Sequence, residues 1–220
     1  MSARTRIKLC GFTRAEDVQT AVAAGTDALG MIFFAKSPRA LSLPQARELR
    51  RGVPAFVDVV ALFVDADPSY VQDVIDSVSP DLLQFHGNES PAECERYGKR
   101  YMRAFRVGSP GLDSAEDLLA ECRRYDSASA WLFDSHSAGY GGSGHGFDLS
   151  LLKAVREAAD ARPVVLAGGL SPANVVDGIR QVRPYAVDVS SGIEDAPGLK
   201  SATKIQAFTR AVSEADIQTG

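Results

Sequence analysis

Short apolar runs recur along the chain at roughly even intervals, at residues 6–9, 28–33, 58–63, 82–85, 101–105, 130–133, 164–167 and 186–189. Each is too short for a helix and reads as a buried strand. The segments between them carry helix signals. Thr13, with Glu16 three residues on, predicts a capping box and a helix through residue 24 that Gly25 ends. Pro44 at a first helical position opens a helix to residue 51, and Pro68 opens another through 78. Ser90-Pro91 with Glu93 starts the next. A fifth helix falls within residues 114–125, a sixth spans 148–159, a seventh starts over 171–175, and the last covers 199–214. Eight strand–helix units without a linker predict a parallel sheet closed into a (β/α)8 barrel, one domain over residues 1–220. A doubly wound open sheet is the rival, but it more often has five or six strands.

The breaks after these runs carry the chemistry. Residues 164–167 end at Gly168-Gly169, and residues 186–189 end at Ser190-Ser191-Gly192. Glycine lets backbone N–H groups close on an anion, and a following helix N-terminus favours negative charge. Two such turns after consecutive strands match the phosphate site that barrels build after strands 7 and 8. A single turn would be read as a plain connection; a consecutive pair favours a phosphorylated ligand.

In a barrel the residue just past each strand faces the mouth, here Cys10, Asp65, His86, Arg106, Asp134, Gly168 and Ser190. Cys10, next to Gly11, is a candidate base or nucleophile if nearby donors or cations lower its pKa; a buried structural thiol is the even alternative. Asp134 follows Trp131-Leu132-Phe133, and partly apolar surroundings suit a general acid, against the alternative of a loop-fixing carboxylate. The loop beyond it, with Gly141, Gly142, Ser143 and Gly144, reads as a lid. Arg39 offers a fork for a substrate carboxylate, or is a solvated charge. His86 orients a ligand or donates to a backbone carbonyl. Asp188 binds a sugar hydroxyl or braces the Ser190-Ser191 turn. His86, His136 and His145 have no metal-ligand spacing, and Cys10, Cys94 and Cys122 form no disulfide or zinc pattern, so no metal is expected.

Net charge narrows the partners. At −4 over 220 residues it gives no support for nucleic acid or an anionic membrane. A phosphorylated substrate is then held by local donors. No apolar run approaches the ~20 residues of a membrane helix, and residues 1–8 have no signal-peptide core. A reduced, cytoplasmic protein is expected, as a monomer or a homodimer.

Beyond periodicity, the motifs Lys8-Leu9-Cys10-Gly11-Phe12-Thr13, Lys36-Ser37-Pro38-Arg39 and Leu83-Gln84-Phe85-His86-Gly87-Asn88-Glu89-Ser90 resemble those of the phosphoribosylanthranilate isomerases. So do Gly141-Gly142-Ser143-Gly144 with Phe147-Asp148, Leu166-Ala167-Gly168-Gly169-Leu170, and Asp188-Val189-Ser190-Ser191-Gly192-Ile193-Glu194. They occur in the family's order over nearly the whole chain. The resemblance implies a cofactor-free barrel isomerase of tryptophan biosynthesis. Its reaction is the Amadori rearrangement of N-(5-phosphoribosyl)anthranilate to 1-(2-carboxyphenylamino)-1-deoxyribulose 5-phosphate. It places the family's base on Cys10, its acid on Asp134 and its carboxylate-binding arginine on Arg39. His145 stands where the family commonly has Lys, Phe85 where Leu is usual, and Asp65 where an amide is expected. The alternatives are a sister aminoaldose isomerase, whose two aspartates do not match Cys10, and a barrel that only binds a phosphorylated ligand.

Overall fold

The computed structural model describes residues 4–135 and 148–219. Eight parallel strands close into a barrel in sequence order: β1 (Arg6–Cys10), β2 (Ala28–Ile32), β3 (Asp58–Phe63), β4 (Leu82–Phe85), β5 (Tyr101–Val107), β6 (Ala130–Ser135), β7 (Val164–Leu166) and β8 (Ala186–Val189). Closure is the pairing of β1 with β8, with Arg6 opposite Ala186 and Lys8 opposite Asp188. Helices follow the strands outside: α1 (Ala15–Ala23), α2 (Leu43–Arg51), α3 (Pro68–Val78), α4 (Pro91–Glu95), α5 (Ala115–Arg123), α6 (Leu152–Glu157), α7 (Val175–Val182) and α8 (Ala202–Thr219). Among the described residues no helix is long and apolar enough to cross a membrane.

Alternation along each strand sorts the side chains into two cores. Outward residues such as Leu9, Leu29, Leu83, Trp131 and Phe133 are fully covered by the helices. Inward residues Val60, Met102, Ala104, Ala130, Leu132, Val165 and Ala186 fill the lower barrel. Every second residue upward then reaches the mouth. Asp134 tops the column Ala130, Leu132; Cys10 sits above Lys8; His86 sits above Gln84; Ser190 sits above Asp188. The period of two that builds the core thereby also lays out the site.

Several local expectations change. Thr13 does not cap α1: Arg14 is the N-cap residue, without a side-chain cap, and the Thr13 hydroxyl donates to the Gly198 carbonyl at 2.7 Å. Leu43, ahead of Pro44, opens α2, which Ser42 caps with Gln45. The expected box at Ser90 and Glu93 is present. The sixth helix is shorter than expected, a 3-10 turn at Leu149–Leu151 followed by α6. Asn174 is the N-cap of α7, so residues 171–174 form a turn ahead of it. The last helix starts at Ala202, because residues 194–200 form a small hairpin, β9 (Glu194–Ala196) with β10 (Leu199–Lys200). The lid residues Gly141, Gly142, Ser143 and Gly144, with His136 and His145, lie outside the described residues.

Candidate active site

One cavity at the C-terminal mouth of the barrel is lined by Cys10, Arg39, Gln84, His86, Asp134, Asp188 and Ser190. Its remaining wall is Ser37 and the apolar Ile32, Phe34, Leu62 and Val64. Cys10 enters from β1 and Asp134 from β6, two strands separated by β7 and β8 around the barrel. The combination offers a slot for a flat apolar group next to a guanidinium, and a polar chamber between a thiol and a carboxyl.

Cys10 is buried, and Gly30 on the neighbouring strand makes room for it: a Cβ there would lie 2.4 Å from the sulfur. Burial pushes the Cys10 thiol above its ordinary pKa. The charges of Lys8 and Lys200 pull it down, and that of Asp188 pushes it up again. The cations foreseen as activators are thus present, but burial outweighs them, and the resting group is a thiol. Lys8 lies beneath, its Nζ 2.9 Å from both carboxylate oxygens of Asp188. Asp188 therefore neither braces the Ser190-Ser191 turn nor stands free; its carboxylate is half of a buried ion pair on the cavity floor.

Asp134 accepts from the Ser135 N–H at 2.8 Å through one oxygen. Its other oxygen is 3.3 Å from His86 Nε2. His86 Nδ1 lies 3.3 Å from Gln84 Nε2, so the ring bridges Gln84 and Asp134. Among the described residues His86 thus meets the Asp134 carboxylate and not a backbone carbonyl.

Arg39 is no solvated charge. Nε and Nη2 donate to Glu194 at 2.7 and 2.6 Å, and among the described residues Nη1 has no hydrogen-bond partner. Glu194 also accepts from Lys200 Nζ at 2.8 Å, and the same ammonium donates to the carbonyls of Cys10 at 2.5 Å and Ser190 at 3.1 Å. The hairpin residues Glu194 and Lys200 thus lock the arginine, β1 and the β8 turn into one network. Neither was singled out in the sequence as a site residue, because their partners lie 155 and 190 positions away.

The turns after β7 and β8 abut. A Cβ on Gly192 would fall 1.9 Å from the Leu170 carbonyl oxygen, and one on Gly168 would fall 2.5 Å from the Ser135 nitrogen. Gly168 and Gly169 have φ of +79° and +68°, which side chains other than glycine rarely adopt. Among the described residues no hydrogen bond engages the N–H groups of Gly168, Gly169, Ser191 or Gly192. The Ser190 hydroxyl is buried and, among the described residues, has no partner. Donors gathered this way suit an anion.

Three expected mouth residues do not line this cavity: Gly168, in the turn just described, Asp65 and Arg106. Asp65, with φ of +46°, turns to Asn88, accepting from its backbone N–H at 2.5 Å and its side chain at 3.1 Å. Arg106 points the same way, with Nη2 3.5 Å from Asn88 Oδ1. Among the described residues no cluster of three His, Cys, Asp or Glu could hold a metal ion.

Comparison with known proteins follows the same lines. The profile of the family described as N-(5'phosphoribosyl)anthranilate (PRA) isomerase matches residues 7–211. An N-(5'-phosphoribosyl)anthranilate isomerase of Bordetella bronchiseptica is 59% identical over 97% of this chain and 98% of its own. The crystal structure of the Thermotoga maritima phosphoribosyl anthranilate isomerase superposes with a TM-score of 0.86 at 36% identity, over 96% of this chain and 99% of the other. A second such enzyme was solved in complex with reduced 1-(o-carboxyphenylamino)-1-deoxyribulose 5-phosphate. It gives a TM-score of 0.83 at 33% identity, over 96% of this chain and 99% of the other.

Proposed function

The chain belongs to the N-(5'-phosphoribosyl)anthranilate isomerase family of tryptophan biosynthesis, and on that premise we propose that Cys10 is its general base and Asp134 its general acid. The observation that carries the assignment is that both side chains line one cavity, from strands separated by β7 and β8. The sugar of the substrate lies between them. Its phosphate takes the free N–H groups of Gly168, Gly169, Ser191 and Gly192 and the Ser190 hydroxyl. The anthranilate ring lies against Ile32, Phe34, Leu62 and Val64, with its carboxylate on Arg39 Nη1.

Chemistry begins at Asp134, which in its protonated form donates to the furanose ring oxygen. Ring opening leaves a Schiff base, whose iminium charge acidifies C2′. The Cys10 thiolate removes that proton, and the resulting enolamine tautomerises to the ketone. The resting thiol supplies little thiolate, so the positive charge that develops on the substrate beside it favours the reactive form. His86 holds the Asp134 carboxyl toward the sugar. Anchoring the phosphate keeps a flexible open-chain intermediate aligned between the two groups.

Anthranilate fluorescence reads the reaction, because the signal of freshly made phosphoribosylanthranilate falls as it is consumed. Cys10→Ala and Asp134→Asn are each expected to lower kcat by roughly 10²–10⁴-fold. Near-wild-type turnover in either variant would remove that residue from the mechanism.

A further inference from the structure

We propose that Lys8 is a positioning residue for this reaction: clamped by Asp188 under the cavity floor, its ammonium holds the Cys10 sulfur and favours the reactive thiolate. The inference rests on the reading of Cys10 as the base. Lys8 and Cys10 are two apart on β1, so both side chains point into the barrel with the sulfur one layer higher. Asp188 on β8 is the register partner of Lys8, and its two oxygens each take one N–H at 2.9 Å. An ammonium has three N–H groups, and the third is left for the sulfur one layer above it on the same face of β1.

A buried lysine–carboxylate pair is a poor device for stability, since apolar residues of similar size do as well or better. Under Asp134 the same layer holds Leu132, which fills the barrel without charge. The ion pair under Cys10 therefore calls for a reason above it, and the sulfur supplies one. Lys8 is also reached from the opposite face, where it lines an opening with Arg6, Val60 and Met102, whereas Asp188 and Cys10 line the active cavity. The pair is the floor between the two.

Other charges face the sulfur, but each is otherwise engaged. Lys200 from β10 gives its N–H groups to Glu194 and to two carbonyls. Arg39, from the loop after β2, is held by Glu194. Across the cavity, Asp134 on β6 and His86 after β4 face one another. Lys8 alone among these cations stands on β1 itself, directly below the thiol on the same face, and the paired Asp188 opposes it.

The test is the pH dependence of Cys10 alkylation by iodoacetamide in the full chain, followed by mass spectrometry, with Cys10→Ala giving the background from Cys94 and Cys122. Lys8→Met is expected to move the midpoint up by about 1–3 pH units, and Lys8→Arg to leave it near wild type. The acidic limb of kcat moves with the midpoint. Because Lys8→Met strands the Asp188 carboxylate, a second comparison sets Lys8→Met/Asp188→Asn against Asp188→Asn, where only the cation differs; the double variant should have the higher midpoint. Equal midpoints in that pair, or a downward shift in the double variant, overturn the proposal. A fully active Cys10→Ala would instead overturn the base assignment beneath it, a result the alkylation midpoints do not produce.

Discussion

At the scale of single residues, Gly30 decides where the Cys10 sulfur sits. A Cβ there would lie 2.4 Å from Sγ and 3.0 Å from both Cα and Cβ of Cys10, so the cysteine has to shift. Misplacing a reacting group by about 1 Å can cost on the order of 10²-fold in rate. Gly30→Ala is therefore expected to lower kcat by that order with KM changed much less, as steady-state fluorescence assays will show. An unchanged kcat would mean that the sulfur need not be held there. Cys10, Arg39, His86, Asp134, Asp188 and Ser190 can each be singled out from the sequence, because strand ends and glycine turns mark the mouth of a barrel. Their partners cannot. Nothing local in the chain says that Lys8 meets Asp188 or that Arg39 meets Glu194, since closure of the barrel makes both pairs. Asp65 and Arg106 depart from the expected ring for a related reason: a positive φ at one, and a strand running to Val107 at the other, turn both toward Asn88.

At the scale of elements, the β9–β10 hairpin does the most with the least chain. Its strands are three and two residues long, below what an apolar pattern can reveal. Glu194 at its start is covered, and burial alone would raise its pKa; Arg39 and Lys200 outweigh that and hold it below the usual carboxylate range. A carboxylate with a lowered folded pKa stabilises the fold above its unfolded value, about 4.3, and loses that contribution as the pH falls through the folded value. Glu194→Gln should thus cost stability at pH 7, by about 3–5 kcal/mol as for one partner of a buried pair. The gap to wild type should shrink as the pH falls below about 4. Urea unfolding at both pH values checks this; a gap of constant size would show that the charge on Glu194 is not what matters. The same hairpin explains why α1 starts differently from its sequence signal. Its Gly198 carbonyl takes the Thr13 hydroxyl that the sequence would spend on a cap, whereas Ser90, with no such distant partner, caps α4 as its motif predicts.

For the whole molecule, the eight units and their parallel closure were readable because each strand is an apolar run bounded by turn and cap residues. Alternation along the strands then does two things at once. It packs Ala130 and Leu132 inside the barrel and delivers Asp134 above them, just as it delivers Cys10 above Lys8. With a net charge of −4, no global positive field draws in a phosphorylated substrate, so the proposed phosphate site rests on local donors, the N–H groups of the β7 and β8 turns that are unengaged among the described residues. The arrangement is tested most directly by a crystal structure of the Asp134→Asn variant with a reduced product analogue bound. The account predicts the phosphate on Gly168, Gly169 and residues 190–192, with the Cys10 sulfur and the introduced carboxamide contacting the sugar from opposite sides. A phosphate bound elsewhere, or a sugar that touches only one of the two side chains, would contradict it.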